Sequence, residues 1–365
     1  MNENKDERKG LPSASGVEGY KLCPGKHNAE KQFPVEETSD DALIGNRIHK
    51  ALETSCADGL NDDEIVIYNT CRFIRDDLVA GFAGDQYSIH FVEERIWDKI
   101  GSYEISGKPD ELVKIIDQEA CSSRVLIIDY KTGRGDVVLA PGNLQLRALA
   151  VLASSEYEAK FVRVAIIQPW ASPTVSVCDY EEPDLVKARA ELIEILSGID
   201  GPNAPRIPGE KQCKYCKAKA TCPEASQSLT TVADASIVKS WHSLQPAQKV
   251  ELFKCCSLAE KVIDSIRSHV KSDLVNGVEI DGLRLKPGAT RRSIKYPAAA
   301  FAQLSSVVDA KAFAECCTVK IGDLEKRFKD RSGLMALEAK RQMMILLDGI
   351  IEEKQSEPSV VLEKE

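Results

Sequence analysis

The sequence of 365 residues predicts a mixed α/β protein with a central sheet flanked by helices, followed by a mainly helical C-terminal region that contains a β-hairpin. Three observations lead there. Apolar residues near the start recur at helical spacing. Between residues 87 and 180 they fall into short runs rich in β-branched and aromatic residues, bounded by Gly, Pro and polar clusters, as strands are. Beyond about residue 226 helical patterns return.

Taken in order, DALIGNRIHKALETSCA (41–57) places Ile44, Ile48, Ala51 and Leu52 on one helical stripe, and DDEIVIYNTCRFIRDDLVAGF predicts a second helix. YSIHFVEERIW, SYEISG, DELVKII and RVLIIDYKTG read as strands of one sheet. GNLQLRALAVLASS reads as a helix, KFVRVAIIQP and PTVSVCDY as strands, and EPDLVKARAELIEILSGI as another helix. GPNAPRIPGEKQ, with three prolines and two glycines in twelve residues, is a loop. A domain boundary is placed near residue 226, giving residues 1–226 and a second domain 227–355 with a hairpin in GVEIDGLRLKPGATRRSI. Residues 356–365 are expected to be disordered, and no internal repeat is visible.

The formal net charge of -9 excludes a chain that coats nucleic acid through overall charge, yet allows a local basic groove. The hydrophilic start lacks the apolar stretch of a secretory signal, and no apolar run is long enough to span a bilayer. A cytoplasmic location without a membrane partner is therefore expected. In such a reducing compartment, cysteines at short spacings among the 12 present suggest metal binding more than disulfides.

Two short stretches carry chemistry. Along the strand RVLIIDYKTG alternate side chains share a face, so Ile127, Asp129 and Lys131 lie on one side and Leu126, Ile128 and Tyr130 on the other. A buried carboxylate needs a partner, and Lys131 or a metal ion would serve. Asp110 follows Pro109, which cannot donate to a sheet ladder and so marks a strand start or edge. If the two strands are neighbours, Asp110 and Asp129 converge on one hard cation such as Mg²⁺ or Mn²⁺, with Lys131 beside the attacking water. The plainer alternative is a strand-end ion pair beside an ordinary turn aspartate.

GKPDELV…LIIDYKTG resembles the PD-(D/E)-x-K nuclease signature, with Pro109, Asp110, Asp129 and Lys131 at the motif positions. GNRIHKALE supplies His49, similar to the helix histidine that the RecB-like branch uses as an extra metal ligand. Gly45 and Glu53 stand one turn either side of it, as room for a ligand and as a steering group. NLQLRALA supplies Gln145, resembling the glutamine of a Q-x-x-x-Y helix motif, although Leu149 stands at the aromatic position. The resemblance implies a restriction-endonuclease-like core, a divalent ion held by His49, Asp110, Asp129 and the Tyr130 carbonyl, and catalytic roles for Asp110, Asp129, Lys131 and Gln145.

CKYCKAKATC sets Cys213, Cys216 and Cys222 in a C-x₂-C-x₅-C arrangement, and a four-coordinate site needs a fourth ligand. Cys23 in GYKLCPGK is the choice. One cysteine before the nuclease motifs and three after them resembles the iron–sulfur nucleases of the RecB-like branch, including AddB-type subunits and CRISPR adaptation nucleases. That likeness implies a [4Fe–4S] cluster, with Zn²⁺ as the competing occupant, stapling the start of the domain to its end. The remaining cysteines are expected to be small buried hydrophobes.

Nucleic-acid contacts are expected from Arg284, Lys286, Arg291, Arg292 and Lys295 in RLKPGATRRSIK, and from Lys214 and Lys217 with Lys211 and Lys219 around the cysteines. The hairpin and helical tail also resemble uncharacterised phage-encoded proteins that join a RecB-like nuclease to such a tail. Together these readings imply a metal-dependent nuclease, an exonuclease on DNA ends or single strands in phage recombination or replication. Its place would be the host bacterial cytoplasm, and a recombination or single-strand-binding protein would be its partner. The alternatives are a non-catalytic DNA-binding or assembly factor on a nuclease scaffold, and a zinc-stabilised adaptor.

Overall fold

The computed structural model describes residues 10–31, 33, 40–117, 122–133, 137–199, 201, 203–234, 243–286, 297–317, 321–334 and 336–347. The chain opens with two short helices, α1 (Val17–Leu22) and α2 (Lys26–Glu30), then α3 (Asp40–Thr54) and α4 (Asp62–Ala83). Asn61 caps α4 by accepting from Glu64 N, while the Glu64 carboxylate returns to Asn61 N, so two backbone donors at the helix start are satisfied together. Arg47 of α3 pairs with the same carboxylate and ties the two helices. Gly84 ends α4 at φ +56°, a conformation that L side chains rarely adopt.

Seven strands follow: β1 (Ser88–Val92), β2 (Ile96–Ile100), β3 (Tyr103–Gly107), β4 (Glu111–Asp117), β5 (Ser122–Tyr130), β6 (Ala159–Ile167) and β7 (Val175–Glu181). Helix α5 (Leu144–Glu156) connects β5 to β6, and α6 (Glu182–Ile199) follows β7. The five-stranded sheet has the order β1-β4-β5-β6-β7, antiparallel throughout except for the parallel β5–β6 pair. That pair requires a crossover, which α5 supplies. The expectation of one sheet is corrected in one respect: β2 and β3 form a separate two-stranded sheet, with Ser106 of β3 also bridging Ser13. The segment YSIHFVEERIW breaks at Glu93, whose φ of +53° turns the chain away from the ladder with β4.

Both faces of the sheet are covered, and β5 shows it residue by residue. Val125 and Ile127 pack with α1, α5, α6 and the β2–β3 hairpin. Leu126, Ile128 and Tyr130 pack with Ile48 of α3 and with Ile67, Cys71 and Phe82 of α4. Burying each aliphatic side chain contributes roughly 1.5–3 kcal/mol, so the strand that bears the acidic residue sits in the most strongly held part of the fold. Ile48, Ala51 and the partly buried Leu52 carry the inner stripe of α3, whereas Ile44 is exposed, because α3 reaches past the covered area at that turn.

Beyond α6 come α7 (Glu210–Lys214), α8 (Pro223–Ala233) and the long α9 (Pro246–Val275). The chain divides into two compact units, Met1–Val278 and Glu279–Glu365. The boundary expected near residue 226 therefore falls inside α8 of the first unit: Val262 of α9 is buried with Cys222 and Ala225, which holds α8 and α9 to that unit. The second unit contains α10 (Pro297–Leu304), α11 (Ala310–Glu315), α12 (Ile321–Ser332) and α13 (Ala336–Leu346). No strand forms over Val278–Lys286, where Asp281 and Gly282 make a turn; the rest of the expected hairpin and the tail 356–365 lie outside the described residues. Among the described residues no helix is long and apolar enough to cross a membrane.

Candidate metal and catalytic site

The site forms where β4 begins and β5 ends. Antiparallel pairing sets Glu111 opposite Ile128 and thereby brings Asp110, just before β4, beside the last residues of β5. Asp110 Oδ2 accepts from the Tyr130 backbone N at 2.7 Å, and its Oδ1 lies 3.4 Å from His49 Nδ1. His49 comes from α3, and its ring meets the edge of Tyr130 at 6.3 Å between centroids. Glu93, held at the positive-φ turn and donating its N to Asp110 O at 3.1 Å, completes a group with His49 and Asp110 whose ligand atoms all lie within 4.8 Å of one another. One imidazole and two carboxylates suit a hard divalent cation.

Asp129 is buried at 3% exposure. Its Oδ1 accepts from Gln145 Nε2 at 3.2 Å, and Lys131 Nζ lies 2.7 Å from its Oδ2. Sealed from solvent, Oδ2 has the Lys131 ammonium as its neighbour. A sealed carboxylate oxygen in this condition fits a cation ligand. Gln145 reaches it from the first turn of α5, which Asn143 caps by accepting from Leu146 N.

The electrostatics follow from crowding. Burial pushes the Asp129 carboxyl up to about 6, with nearby Asp110 adding to the rise and Lys131 and His49 opposing it. Burial works against a charged His49, but the Asp110 and Asp129 carboxylates outweigh it and hold the ring above its ordinary range. Lys131 is likewise raised, since its partners Asp129 and Asp110 overcome desolvation.

Below the cation group lies a second cluster that the sequence reading missed. Glu111, 5% exposed, takes the Arg75 guanidinium through both oxygens, the Tyr130 hydroxyl at 3.1 Å and His90 Nδ1 at 3.2 Å. It thereby fixes α4, β1 and β5 around the residue next to Asp110. The only signal was an alternation of charge along β4. Glu93 was missed as well, because its placement depends on a turn inside a segment that reads as continuous strand.

Other expected features fall differently. Glu53 pairs with Lys50 at 2.7 Å rather than with His49; Lys50 is exposed and Glu53 half-buried. A Cβ added at Gly45 would find Thr132 Oγ1 at 3.7 Å, an ordinary contact, so glycine is not sterically required there. Leu149 is fully buried, and a Cβ at Gly107 would come within 2.4 Å of it: apolar packing occupies this position. Beside Gln145, a hollow of about 130 Å³ is lined by Ser13, Ser15, Arg95, Gly107 and Lys108.

The four cysteines of the second expected site are all buried. Cys23 Sγ accepts from Ile207 N at 3.3 Å and Cys213 Sγ from Gly209 N at 3.4 Å. Cys23 acts electrostatically on Cys213, and Cys213 on Cys216, whereas the Cys222 thiol is directed at Glu224 Oε2, 3.4 Å away. Burial pushes the thiols of Cys213, Cys216 and Cys222 up, Cys216 to about 12. The N-terminal strap is tied to this segment throughout. Gly25 N donates to Pro205 O at 2.9 Å, Asn28 to Ile199 O and Gly201 O, Lys26 to Gln212 O, and Lys217 N to Glu30. Among the described residues Cys71 is the other buried cysteine, whereas Cys178, Cys255 and Cys256 are half-buried and Cys56, Cys316 and Cys317 exposed, against the expectation of burial; Cys121 lies outside the described residues.

Among the expected nucleic-acid residues, Arg284 and Lys286 are exposed in the second unit. Lys214 is exposed and Lys217 half-buried in the first. Arg291, Arg292 and Lys295 lie outside the described residues.

Fold and site together define a mixed α/β protein with a hard-cation donor set at the C-terminal end of its parallel strand pair. The chain belongs to the family described as "Protein of unknown function (DUF2800)", whose model matches residues 71–365. Several solved structures are similar to it. One is SSO0001, at 18% identity over 60% of this chain and 87% of that one, with a TM-score of 0.30. Another is from Eubacterium rectale and is described as a candidate exonuclease, at 13% identity over 56% and 89%, TM-score 0.32. A third is an alkaline exonuclease from Laribacter hongkongensis, at 12% identity over 53% and 91%, TM-score 0.24.

Proposed function

We propose that this protein is a divalent-metal-dependent deoxyribonuclease, an exonuclease acting on DNA ends or single strands. The observation that carries the reading is the β4–β5 pairing, which sets Asp110 beside the end of β5 that bears Asp129; His49 and Glu93 group with Asp110, while Asp129 lies outside that group of three and is held by Lys131 and Gln145. A Mg²⁺ or Mn²⁺ ion held by His49, Glu93, Asp110 and Asp129, with the Tyr130 carbonyl, would supply Lewis-acid polarisation and a more acidic bound water. The chain's own groups account for the rest. Gln145 fixes the Asp129 carboxylate, Asp110 is locked by the Tyr130 N–H, and Lys131 places a positive charge where charge develops on a phosphate. The hollow beside Gln145, lined by hydroxyl and basic side chains, has room for a neighbouring phosphate.

Cleavage of end-labelled single- and double-stranded DNA with Mg²⁺ and Mn²⁺ tests this reading. Asp129→Ala should lower the rate by at least about 10³-fold while leaving the fold intact. Wild-type protein inert on both substrates would instead favour the DNA-binding or assembly role. For the cysteines, the soft donor set and the strap contacts support a [4Fe–4S] cluster, with Zn²⁺ as the alternative. Anaerobic purification that yields a colourless, iron-free protein would defeat the cluster assignment. A role in phage recombination, beside a recombination or single-strand-binding protein in a bacterial cytoplasm, belongs to the same proposal.

A further inference from the structure

Lys108 belongs to two neighbourhoods at once. Its ammonium pairs with Glu93 Oε2 at 2.8 Å, and Glu93 is one of the three residues grouped around a cation position. The same residue lines the hollow of about 130 Å³ beside Gln145. The backbone on either side is set: Gly107 ends β3 packed against Leu149, and Asp110, two residues on, accepts from Tyr130 N. A change of partner therefore falls to the side chain, which is 36% exposed and has a flexible four-carbon stem with room to turn.

The two neighbourhoods call for opposite charge. Around Glu93 stand His49 and Asp110, and ligand atoms of the three lie within 4.8 Å of one another, as suits a divalent cation. A cation seated there shares the Glu93 carboxylate with the Lys108 ammonium, and two like charges on one carboxylate repel. The hollow is the reverse. Ser13 and Ser15, with hydroxyl oxygens 3.1 Å apart, line it together with Arg95, Lys108 and Gln145, and none of its described lining residues is acidic. Hydroxyl, amide and cationic donors without a carboxylate match a phosphate. Because Gln145 also donates to Asp129 at 3.2 Å, the hollow adjoins the end of β5 where the reacting phosphate would lie.

We propose that Lys108 exchanges partners: it holds Glu93 in the cation-free protein, and once a divalent cation takes that carboxylate, its ammonium turns to a backbone phosphate of the DNA strand in the hollow. The inference rests on the nuclease reading and adds to it a coupling, by which cation and strand each bind more tightly in the presence of the other. Lys108 is then a rival of the cation and a partner of the strand. Removing its charge has opposite effects on the two, which the loss of a plain surface ion pair does not.

Calorimetry on the full chain without DNA reads the first effect: Lys108→Met should tighten Mn²⁺ binding by about two- to fivefold, the range of a partly exposed ion pair. Anisotropy of a labelled oligothymidylate reads the second, in a Lys131→Met background that suppresses cleavage and keeps every proposed cation ligand. With saturating Mn²⁺, Lys108→Met should weaken the strand by about five- to tenfold. The slope of log affinity against log salt should also fall by about 0.7, the share of one phosphate in a single strand. In EDTA the affinity should change less than about twofold and the slope should hold. Lys108→Arg should bring both ligands back towards wild-type affinity.

Mn²⁺ binding left unchanged or weakened by Lys108→Met would overturn the proposal, as would strand losses of equal size with Mn²⁺ and with EDTA. Misfolding does not imitate a gain in Mn²⁺ affinity. Failure of the nuclease reading shows separately, as absence of Mn²⁺-dependent cleavage by the wild-type protein.

Discussion

Asp129 concentrates the physical conflict at the site. A folded-state carboxyl raised to about 6 favours the native state below the ordinary carboxylate range, and that contribution is lost as pH rises through the folded value. His49, also raised, acts in the same direction, while Glu64, Asp98 and Glu191, all lowered, act only in more acidic solution. The metal-free protein should therefore melt at a higher temperature near about pH 5.5 than near about pH 7.5. Mn²⁺ should raise the melting temperature at the higher pH and lose its effect as protons compete for Asp129. Asp129→Asn should flatten both responses; a profile unchanged by that substitution would reject the assignment. Glu93→Gln should weaken Mn²⁺ binding by about tenfold or more, read by calorimetry, without changing the response of Asp129. Alternation along a strand puts Asp129 and Lys131 on one side in the sequence reading, whereas Asp110 is read from Pro109 at a strand start; the β4–β5 pairing sets the two segments side by side. Glu93 was not legible, since a turn with positive φ inside a strand-like segment leaves no periodic trace.

The strands and helices of the first unit were legible to within a few residues wherever apolar runs were long, as in β5, β6, α4 and α6. Pairing was harder to read. Nothing in SYEISG distinguishes a strand of the main sheet from one arm of a separate hairpin, because that choice lies in tertiary contacts with α5 and α6. Packing of β3 against α5 leaves no space at Gly107. Gly107→Ala should cost about 1–3 kcal/mol, measured by urea denaturation, because the added methyl meets Leu149, Leu152 and Ala14 at once. Gly25→Ala meets harder resistance, since a backbone carbonyl, Ala204 O, stands 2.6 Å from the added carbon. This second change should loosen the strap and raise the reactivity of Cys23 and Cys213 towards a thiol reagent, with little effect on Mn²⁺ binding.

For the whole molecule, every described cation ligand and all four cysteines of the second site belong to Met1–Val278. A protein ending at Val278 should keep Mn²⁺ binding. If Arg284 and Lys286 meet phosphates, it should also show a DNA affinity that falls less steeply with salt than that of the full chain. The strap carries one more implication, for synthesis on the ribosome. Residues 23–30 leave the exit tunnel early, yet the groups that receive them, at 199–217, are translated only after every strand of the sheet. The strap's backbone partners are thus met only after nearly two hundred further residues are made, and such distant pairings form slowly. The cation ligands, all placed before residue 131, are translated well ahead of the segment that receives the strap.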